Sequence, residues 1–293
     1  MAEKNEIIHI NQVNLGELTK PATVLVEKVS NAVAELAKPW QIVRVARAET
    51  EAEKIKTLGK IEITELEQRA ANRLLAEETR KQANIETIMQ KALPGVREDA
   101  KPQDMDDDWI VNFFDKCRLI SDEEMQLLWA RILAGEASKP GTFSRRTVNF
   151  VTSMDRSDAS LFTRLCGFCW NVGDLCCPII RNYEDAIYSS HKIAFYNLQH
   201  LDEIGLITFD NEGGFAIPTH IERGRVSYFG RLVGVRFKNS GDNSLPLGQV
   251  VFSRVGRELA SIAGGKPVEG FVDYVARYWE DKGLTVERLG LDP

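Results

Sequence analysis

The chain has 293 residues, of which 43% are hydrophobic and 27% charged, proportions that allow a protein to bury a core. Its formal net charge of −6 argues against a general nucleic-acid coat, which needs a strong excess of cations. No apolar run reaches the roughly 18 residues of a membrane-spanning helix, so we expect no membrane partner. The polar start lacks the apolar segment of a secretory signal, so we expect a cytoplasmic protein whose cysteines are free thiols.

Residues 1–40 are predicted to hold an amphipathic helix. Apolar residues recur at helical spacing between Pro21 and Leu36, and Pro39 ends the pattern. The polar face mixes both signs of charge and is not rich in lysine and arginine, so it favours packing on protein over lying on a membrane surface.

Residues 41–93 are predicted to form one long, charged, coiled-coil-like helix, about 75 Å long at 1.5 Å per residue. Its apolar stripe has a step of about 3.6 residues, which predicts a nearly straight helix, and the stripe is interrupted at Glu77 and Lys81. It is either a solvated helix with ion pairs along its surface or a self-associating one. Because a helix gains most of its stability from packing, we expect a homo-oligomer that assembles through residues 20–93.

Pro94, Gly95 and Pro102 indicate a linker, and residues 105–190 are predicted to be a helical domain. Its first helix buries an apolar face that begins at Trp109, after the carboxylates Asp106 to Asp108, which can cap free N–H groups. A second helix starts at Ser121, which forms a capping box with Glu124, and its end is predicted near Gly135. Two further helices are predicted from Ser144 and Ser157, followed by a less regular stretch from Asn171 to Asn182.

Residues 191–293 are predicted to be a winged-helix-like α+β domain. A helix over Lys192–Ile204 stops at Gly205, a strand Leu206–Phe209 follows, and a turn returns the chain as Phe215–Pro218, which is the local layout of a winged helix. The remaining segments are strands at Val226–Phe237 and Gln249–Ser253, a loop Ser240–Pro246, helices Arg254–Ile262 and Val268–Lys282, and a last strand Leu284–Leu289. The fold class is therefore mainly α with a small β component.

The stretch from Phe113 to Glu136, with the signature Trp129-Ala130-Arg131-Ile132-Leu133-Ala134-Gly135-Glu136, resembles a bacterial family known only as a domain of unknown function. Segments Pro140–Phe150 and Leu198–Ile207, and the helix that starts at Pro21, extend the resemblance to most of the chain. This resemblance implies no activity. The layout is also similar to abortive-infection proteins of the alpha type, which implies a role in defence against phage.

Four cysteines crowd together at Cys166, Cys169, Cys176 and Cys177. Together with His191 or His200 they could hold a zinc ion, since zinc takes four thiolate or imidazole ligands. The first pair, however, falls in a predicted buried helix, where a free cysteine behaves as a small apolar side chain. We therefore expect buried thiols and no metal or other cofactor. Asp104 to Asp108 could bind a divalent cation, but helix capping explains these carboxylates without an ion.

The sequence carries no motif of a known catalytic mechanism. It has no G-x-S-x-G elbow, no phosphate-cradling G-x-x-x-x-G-K-[ST] loop and only four histidines, none with a diagnostic partner. The segment Gly264-Gly265-Lys266 runs into Pro267, which has no N–H to donate. We therefore expect a protein that is not an enzyme.

A cationic run with interleaved aromatic residues suits nucleic-acid contact through phosphates and stacked bases. Its candidate contact residues are Arg223, Arg225, Tyr228, Arg231, Arg236 and Lys238. Asp202 and Glu203 in the preceding helix oppose this interpretation because they repel phosphate. The leading prediction is a non-enzymatic, self-associating cytoplasmic adaptor or sensor with an unidentified protein partner, and the likeness to abortive-infection proteins adds a role in phage defence. The alternative is a DNA- or RNA-binding regulator that uses the winged-helix-like segment.

Overall fold

The computed structural model describes residues 19–33, 65–238 and 241–291. The predictions for residues 34–64, including Pro39 and the first half of the long helix, lie outside the described residues. The chain divides into two compact units, residues 1–148 and residues 149–293. Both helices and strands are present, which confirms a mixed α+β protein.

The first unit is helical. Its helices are α1 (Lys20–Ala32), α2 (Glu65–Ala92), α3 (Asp107–Cys117), α4 (Glu123–Ser138) and the start of α5 (Arg145–Val151), with short 3-10 turns at Leu93–Gly95 and Pro102–Asp104. Helix α1 packs against the second of these turns and against α3, and it buries Ala22, Leu25 and Val29. Its apolar face is therefore covered by protein, as predicted.

Aromatic packing between α3 and α4 forms the core of this unit. Phe113 stacks on Trp109 and meets the edge of Trp129, with 5.1 Å between ring centroids in each pair. The Trp109 indole N–H donates to the carbonyl of Phe143 over 2.7 Å. All three aromatic rings are almost completely removed from solvent, so the predicted buried faces of the two helices are confirmed.

The helix ends differ in part from the prediction. Asp106 accepts from the backbone N–H of Trp109 and caps α3, as expected. The predicted cap at Ser121 is wrong, because Asp122 accepts from the backbone N–H of Met125 and starts α4 one residue later. Gly135 does not end α4 but lies inside it. An added Cβ there would come within 2.7 Å of the Phe143 ring, so the glycine makes room for packing.

The second unit combines helices with three small sheets. Its helices are the end of α5, α6 (Arg156–Cys166), α7 (Ala186–Ser189), α8 (Phe195–Glu203), α9 (Arg254–Ala260) and α10 (Phe271–Asp281). Its strands are β1 (Cys169–Val172), β2 (Leu175–Pro178), β3 (Ile207–Phe209), β4 (Phe215–Thr219), β5 (Arg223–Tyr228), β6 (Arg231–Arg236), β7 (Asn243–Gly248), β8 (Val250–Phe252) and β9 (Thr285–Leu291).

The main sheet is antiparallel and has the strand order β2-β1-β5-β6-β9. Helix α10 packs on one side of it through aromatic contacts. Trp170 of β1 meets Trp279 of α10 with 5.1 Å between centroids, and Tyr228 of β5 meets Phe271 of α10 at 5.4 Å. The predicted last strand is confirmed as β9, which closes one edge of the sheet.

The predicted hairpin between Leu206–Phe209 and Phe215–Pro218 is wrong. Strand β3 pairs with β8 and strand β4 pairs with β7, so the two pairings are nested around the β5–β6 hairpin. The predicted loop Ser240–Pro246 is wrong for the same reason, since most of it is strand β7. Local turn residues predict a return of the chain, whereas β3 pairs with residues more than 40 positions further on and β4 pairs with residues 24 to 33 positions further on.

The structure also contains a hairpin that was not predicted, β1–β2, in the stretch expected to be irregular. Val172 pairs with Leu175, so the connection is the two-residue loop Gly173-Asp174. Gly173 has a φ of +59°, a conformation that glycine adopts without strain. A glycine followed by aspartate between two apolar runs is a recognised hairpin signal, and it was present in the sequence.

We predict that Trp129→Ala lowers the free energy of unfolding of the first unit by about 3–5 kcal/mol, because it removes a fully buried aromatic ring. The indole N–H of Trp129 has no hydrogen-bond partner among the described residues. Trp129→Phe therefore leaves no donor unpaired and should cost clearly less. Chemical denaturation followed by circular dichroism measures both changes. An unchanged midpoint for Trp129→Ala would contradict the burial.

We predict that Gly256→Ala destabilises the second unit by about 1–3 kcal/mol, as overpacking does. An added Cβ would lie 2.0 Å from the carbonyl oxygen of Leu206, so α9 and the chain before β3 would have to separate. Gly241→Ala is the matched control, since its Cβ would meet nothing within 4 Å. Thermal denaturation of the two variants should show a lowered midpoint for Gly256→Ala alone.

Candidate functional site

The predicted nucleic-acid contact residues lie on and beside the β5–β6 hairpin, but not on one surface. Residues opposite one another in an antiparallel pair share a side of the sheet, and neighbours along a strand alternate. Arg223 lies opposite Arg236, and Arg225 lies opposite Gly234, so these arginines share one side, away from α10. Arg231 lies opposite Tyr228 at the turn of the hairpin, on the other side.

The Tyr228 side chain is buried in the core. Its hydroxyl donates to the carbonyl of Gly167 over 2.7 Å and accepts from the backbone N–H of Val268 over 2.6 Å. Burial raises the pKa of Tyr228 to about 12, so the phenol stays neutral. The aromatic ring at the surface of the turn is instead Phe229, which is 43% exposed.

Arg231 lines a cavity of about 970 Å³ beside the start of α10. Phe229 and Arg288 also line it, and Arg288 forms an ion pair with Asp273. Lys238 lies at the opposite end of the hairpin, where its Nζ atom lies 2.8 Å from the position that a Cβ would take on Gly283. The six predicted residues are thus divided between two sides and two ends of the hairpin.

The cysteines lie around the β1–β2 hairpin, close to the end of α6. Cys166 and Cys169 are buried, as predicted, and Cys176 and Cys177 are partly exposed. Burial raises the pKa of the Cys169 thiol well above its usual range, and burial raises that of Cys177 to about 11. A hydrogen bond from Cys169 lowers the pKa of Cys176. Because thiolates are the reactive and metal-binding form, at least Cys169 and Cys177 are poorly suited to either role.

The two histidines that could complete a zinc site have other partners. His200 Nε2 lies 2.7 Å from the Asp158 carboxylate and joins α8 to α6, and His191 Nδ1 lies 3.0 Å from the carbonyl of Ile187. Within residues 19–33, 65–238 and 241–291, no group of three histidine, cysteine or acidic side chains is placed to hold a metal ion. Asp106 and Asp108 pair with Arg145 at 3.3 and 3.2 Å, in addition to the capping by Asp106.

Residues of the family-like signature hold the fold of the first unit. Trp129 lies in the core, and Gly135 admits the ring of Phe143. The Glu136 side chain is buried, and its carboxylate accepts from the backbone N–H groups of Gly141 over 2.6 Å and of Phe143 over 2.8 Å. Gly135 and Glu136 therefore fix the turn after α4, and Trp129 fills the core of the unit.

We predict that purified protein holds well under one equivalent of zinc per chain, because burial keeps the thiols of Cys169 and Cys177 protonated. Cys166→Ala should retain the native circular dichroism spectrum. Elemental analysis checks the first expectation. One zinc per chain that is lost in Cys166→Ala or Cys169→Ala would contradict it.

Among the described residues, no helix is both long enough and apolar enough to span a bilayer.

A family model described as "Protein of unknown function (DUF2806)" matches residues 68–276. No curated protein and no solved structure matches the chain. The likeness to abortive-infection proteins is not shown by these comparisons. Because the family model covers more than half of the chain, the predicted family membership is confirmed: the chain belongs to the DUF2806 family of proteins of unknown function.

Proposed function

We propose that this protein is a non-enzymatic adaptor or sensor that works as a homo-oligomer assembled through α2. The observation that supports the proposal is a group of exposed leucines in the first half of this helix. Leu66, Leu74 and Leu75 are 68%, 60% and 54% exposed. A single exposed leucine is ordinary, but three on one helix favour a surface that another protein covers.

The exposed leucines continue an apolar stripe that the chain buries elsewhere. Leu66, Ala70 and Leu74 follow one another at intervals of four residues, which places them along one side of a helix. The second half of α2 packs on α4, where Ile88 and Ala92 are 0% and 1% exposed. No described residue covers the first half of the stripe in the same way. A second copy of α2 is the partner of matching length and character.

The charges beside the stripe favour a like helix as the partner. Arg69 lies 3.8 Å from Glu65, Arg73 lies 3.7 Å from Glu77, and Lys81 lies 2.6 Å from Glu78. These pairs are formed within one helix, so these six charged side chains stay paired when the apolar stripe is buried. Symmetric association of identical subunits is the commonest arrangement of soluble oligomers.

The proposal also includes a winged-helix-like arrangement whose strand order differs from the predicted one. Helix α8 is followed by β3, and β8 takes the place of the second wing strand, with β4 to β7 inserted between them. We propose that α8, β3 and β8 contact a protein partner. The alternative, a DNA- or RNA-binding regulator, draws support from the arginines of β5 and β6 rather than from α8, which carries Asp202 and Glu203. The phage-defence role and the cytoplasmic location stay predictions.

Multi-angle light scattering of the full chain tests the self-association. We expect an oligomer at micromolar concentration, and we expect Leu66→Glu with Leu74→Glu to shift it towards the monomer, because each change places a carboxylate in the buried stripe. Leu119→Glu is the matched control, since Leu119 is 63% exposed but lies outside α2. A monomeric wild-type chain would overturn the proposal, as would an oligomer that the double variant leaves intact.

A further inference from the structure

We infer that the solvent-facing side of the five-stranded sheet binds single-stranded nucleic acid through its phosphates. This inference goes beyond self-association and concerns a different part of the chain. The surface, named the arginine face here, consists of Arg223, Arg225, Ser227, Leu232, Arg236 and Leu289 on strands β5, β6 and β9.

Alternation along the strands produces the arginine face. Val226, Tyr228, Val233 and Val235 point towards α10 and are buried. The residues between them point the other way, and Arg223, Arg225 and Arg236 are exposed. The Asn171 side chain extends this face to β1, where its amide donates to the Ser227 hydroxyl. Leu289 is also exposed, and Ser227 and Leu232 are partly exposed.

The arrangement of charge on the arginine face favours an anion. Arg223 and Arg236 lie directly opposite each other, and like charges in this position are unfavourable in the free protein. Arg236 is paired with Glu287 at 3.2 Å. Arg223 and Arg225 form no ion pair or side-chain hydrogen bond within the described residues. Three guanidinium groups therefore share one carboxylate, and an added phosphate relieves the repulsion while it accepts paired N–H donors.

The spacing of the arginines fits a chain of phosphates better than one small anion. Arg223 and Arg225 are two residues apart on one strand, which is about 6.6 Å, and Arg236 lies one strand away, about 4.8 Å. Successive phosphates of an extended single strand can meet charges at such intervals. A five-stranded sheet is wider than the helix or two-stranded ribbon that the major groove of a duplex admits. Leu232 and Leu289 beside the arginines offer apolar contact to unstacked bases.

Phosphate contacts predict a specific dependence on salt. With three phosphates neutralised on a single strand, the logarithm of the affinity falls with the logarithm of salt concentration with a slope of about −2. Raising salt from about 50 to about 200 mM then weakens binding roughly 20-fold. Because aromatic residues are not among the side chains of the arginine face, preference between base sequences should be small.

Fluorescence anisotropy of the full chain with labelled oligothymidylate tests the inference. We expect wild-type binding with this salt slope and weaker binding to the matching duplex. Arg223→Gln with Arg225→Gln should reduce the slope to about −0.7, since one phosphate contact remains. Arg223→Lys with Arg225→Lys keeps the charge and should keep most of the slope. Arg225→Gln alone and Arg231→Gln form the matched pair, because each removes one charge, from opposite sides of the same hairpin.

Three outcomes would overturn the inference. The first is no binding of oligothymidylate at micromolar protein and low salt. The second is an equal loss of affinity in Arg231→Gln, which would indicate a general charge effect. The third is binding of phosphatidylserine vesicles that depends on Arg223 and Arg225 while oligothymidylate does not compete, which would indicate a lipid surface. Light scattering of the same samples shows whether a variant loses affinity because its oligomeric state has changed or because the arginines have been replaced.

Discussion

The packing of α10 on the five-stranded sheet determines what the second unit presents to solvent. Trp170, Phe271 and Trp279 are completely buried between the two layers. The Tyr228 hydroxyl adds two hydrogen bonds that tie β5 to the chain after α6 and before α10. Once these rings fix which side of the sheet faces inward, the period of two along each strand fixes the other side as well. The exposed arginines are therefore a consequence of the core.

The helices of the first unit could be predicted well from the sequence, because each carries its apolar residues at helical spacing, and α3 and α4 also begin after a capping side chain. Errors occurred where a competing local choice existed. Asp122 and Ser121 are both good N-caps, and the carboxylate is the one used. Gly135 looks like a helix end in the sequence, but its role depends on the ring of Phe143, eight residues away.

The strand pairing of the second unit could be predicted only in part. Local signals identify β3, β4, β8 and β9 as strands, whereas the single strand predicted over Val226–Phe237 is wrong, because the chain turns at Phe229 and Gly230 and forms the β5–β6 hairpin. Pairing is a long-range property, and β3 finds its partner in β8, on the far side of that hairpin. For the same reason, the candidate site could be predicted only in part. Which residues of the cationic run share a surface depends on the alternation of side chains along the strands and on the position of the turn at Phe229 and Gly230. Arg223, Arg225 and Arg236 then stay together, while Arg231 faces a cavity.

The residues of the family-like signature and the residues that suggest function are used in different ways. Trp129, Gly135 and Glu136 are engaged in packing or hydrogen bonds to the backbone, so their chemistry is used to hold the fold. The leucines of α2 and the unpaired arginines of β5 contribute little to that core. Exposed leucines and adjacent unpaired guanidinium groups are both unfavourable in a free protein. Because these residues lie outside the core, we infer that each surface has a partner, which is apolar for the leucines and anionic for the arginines.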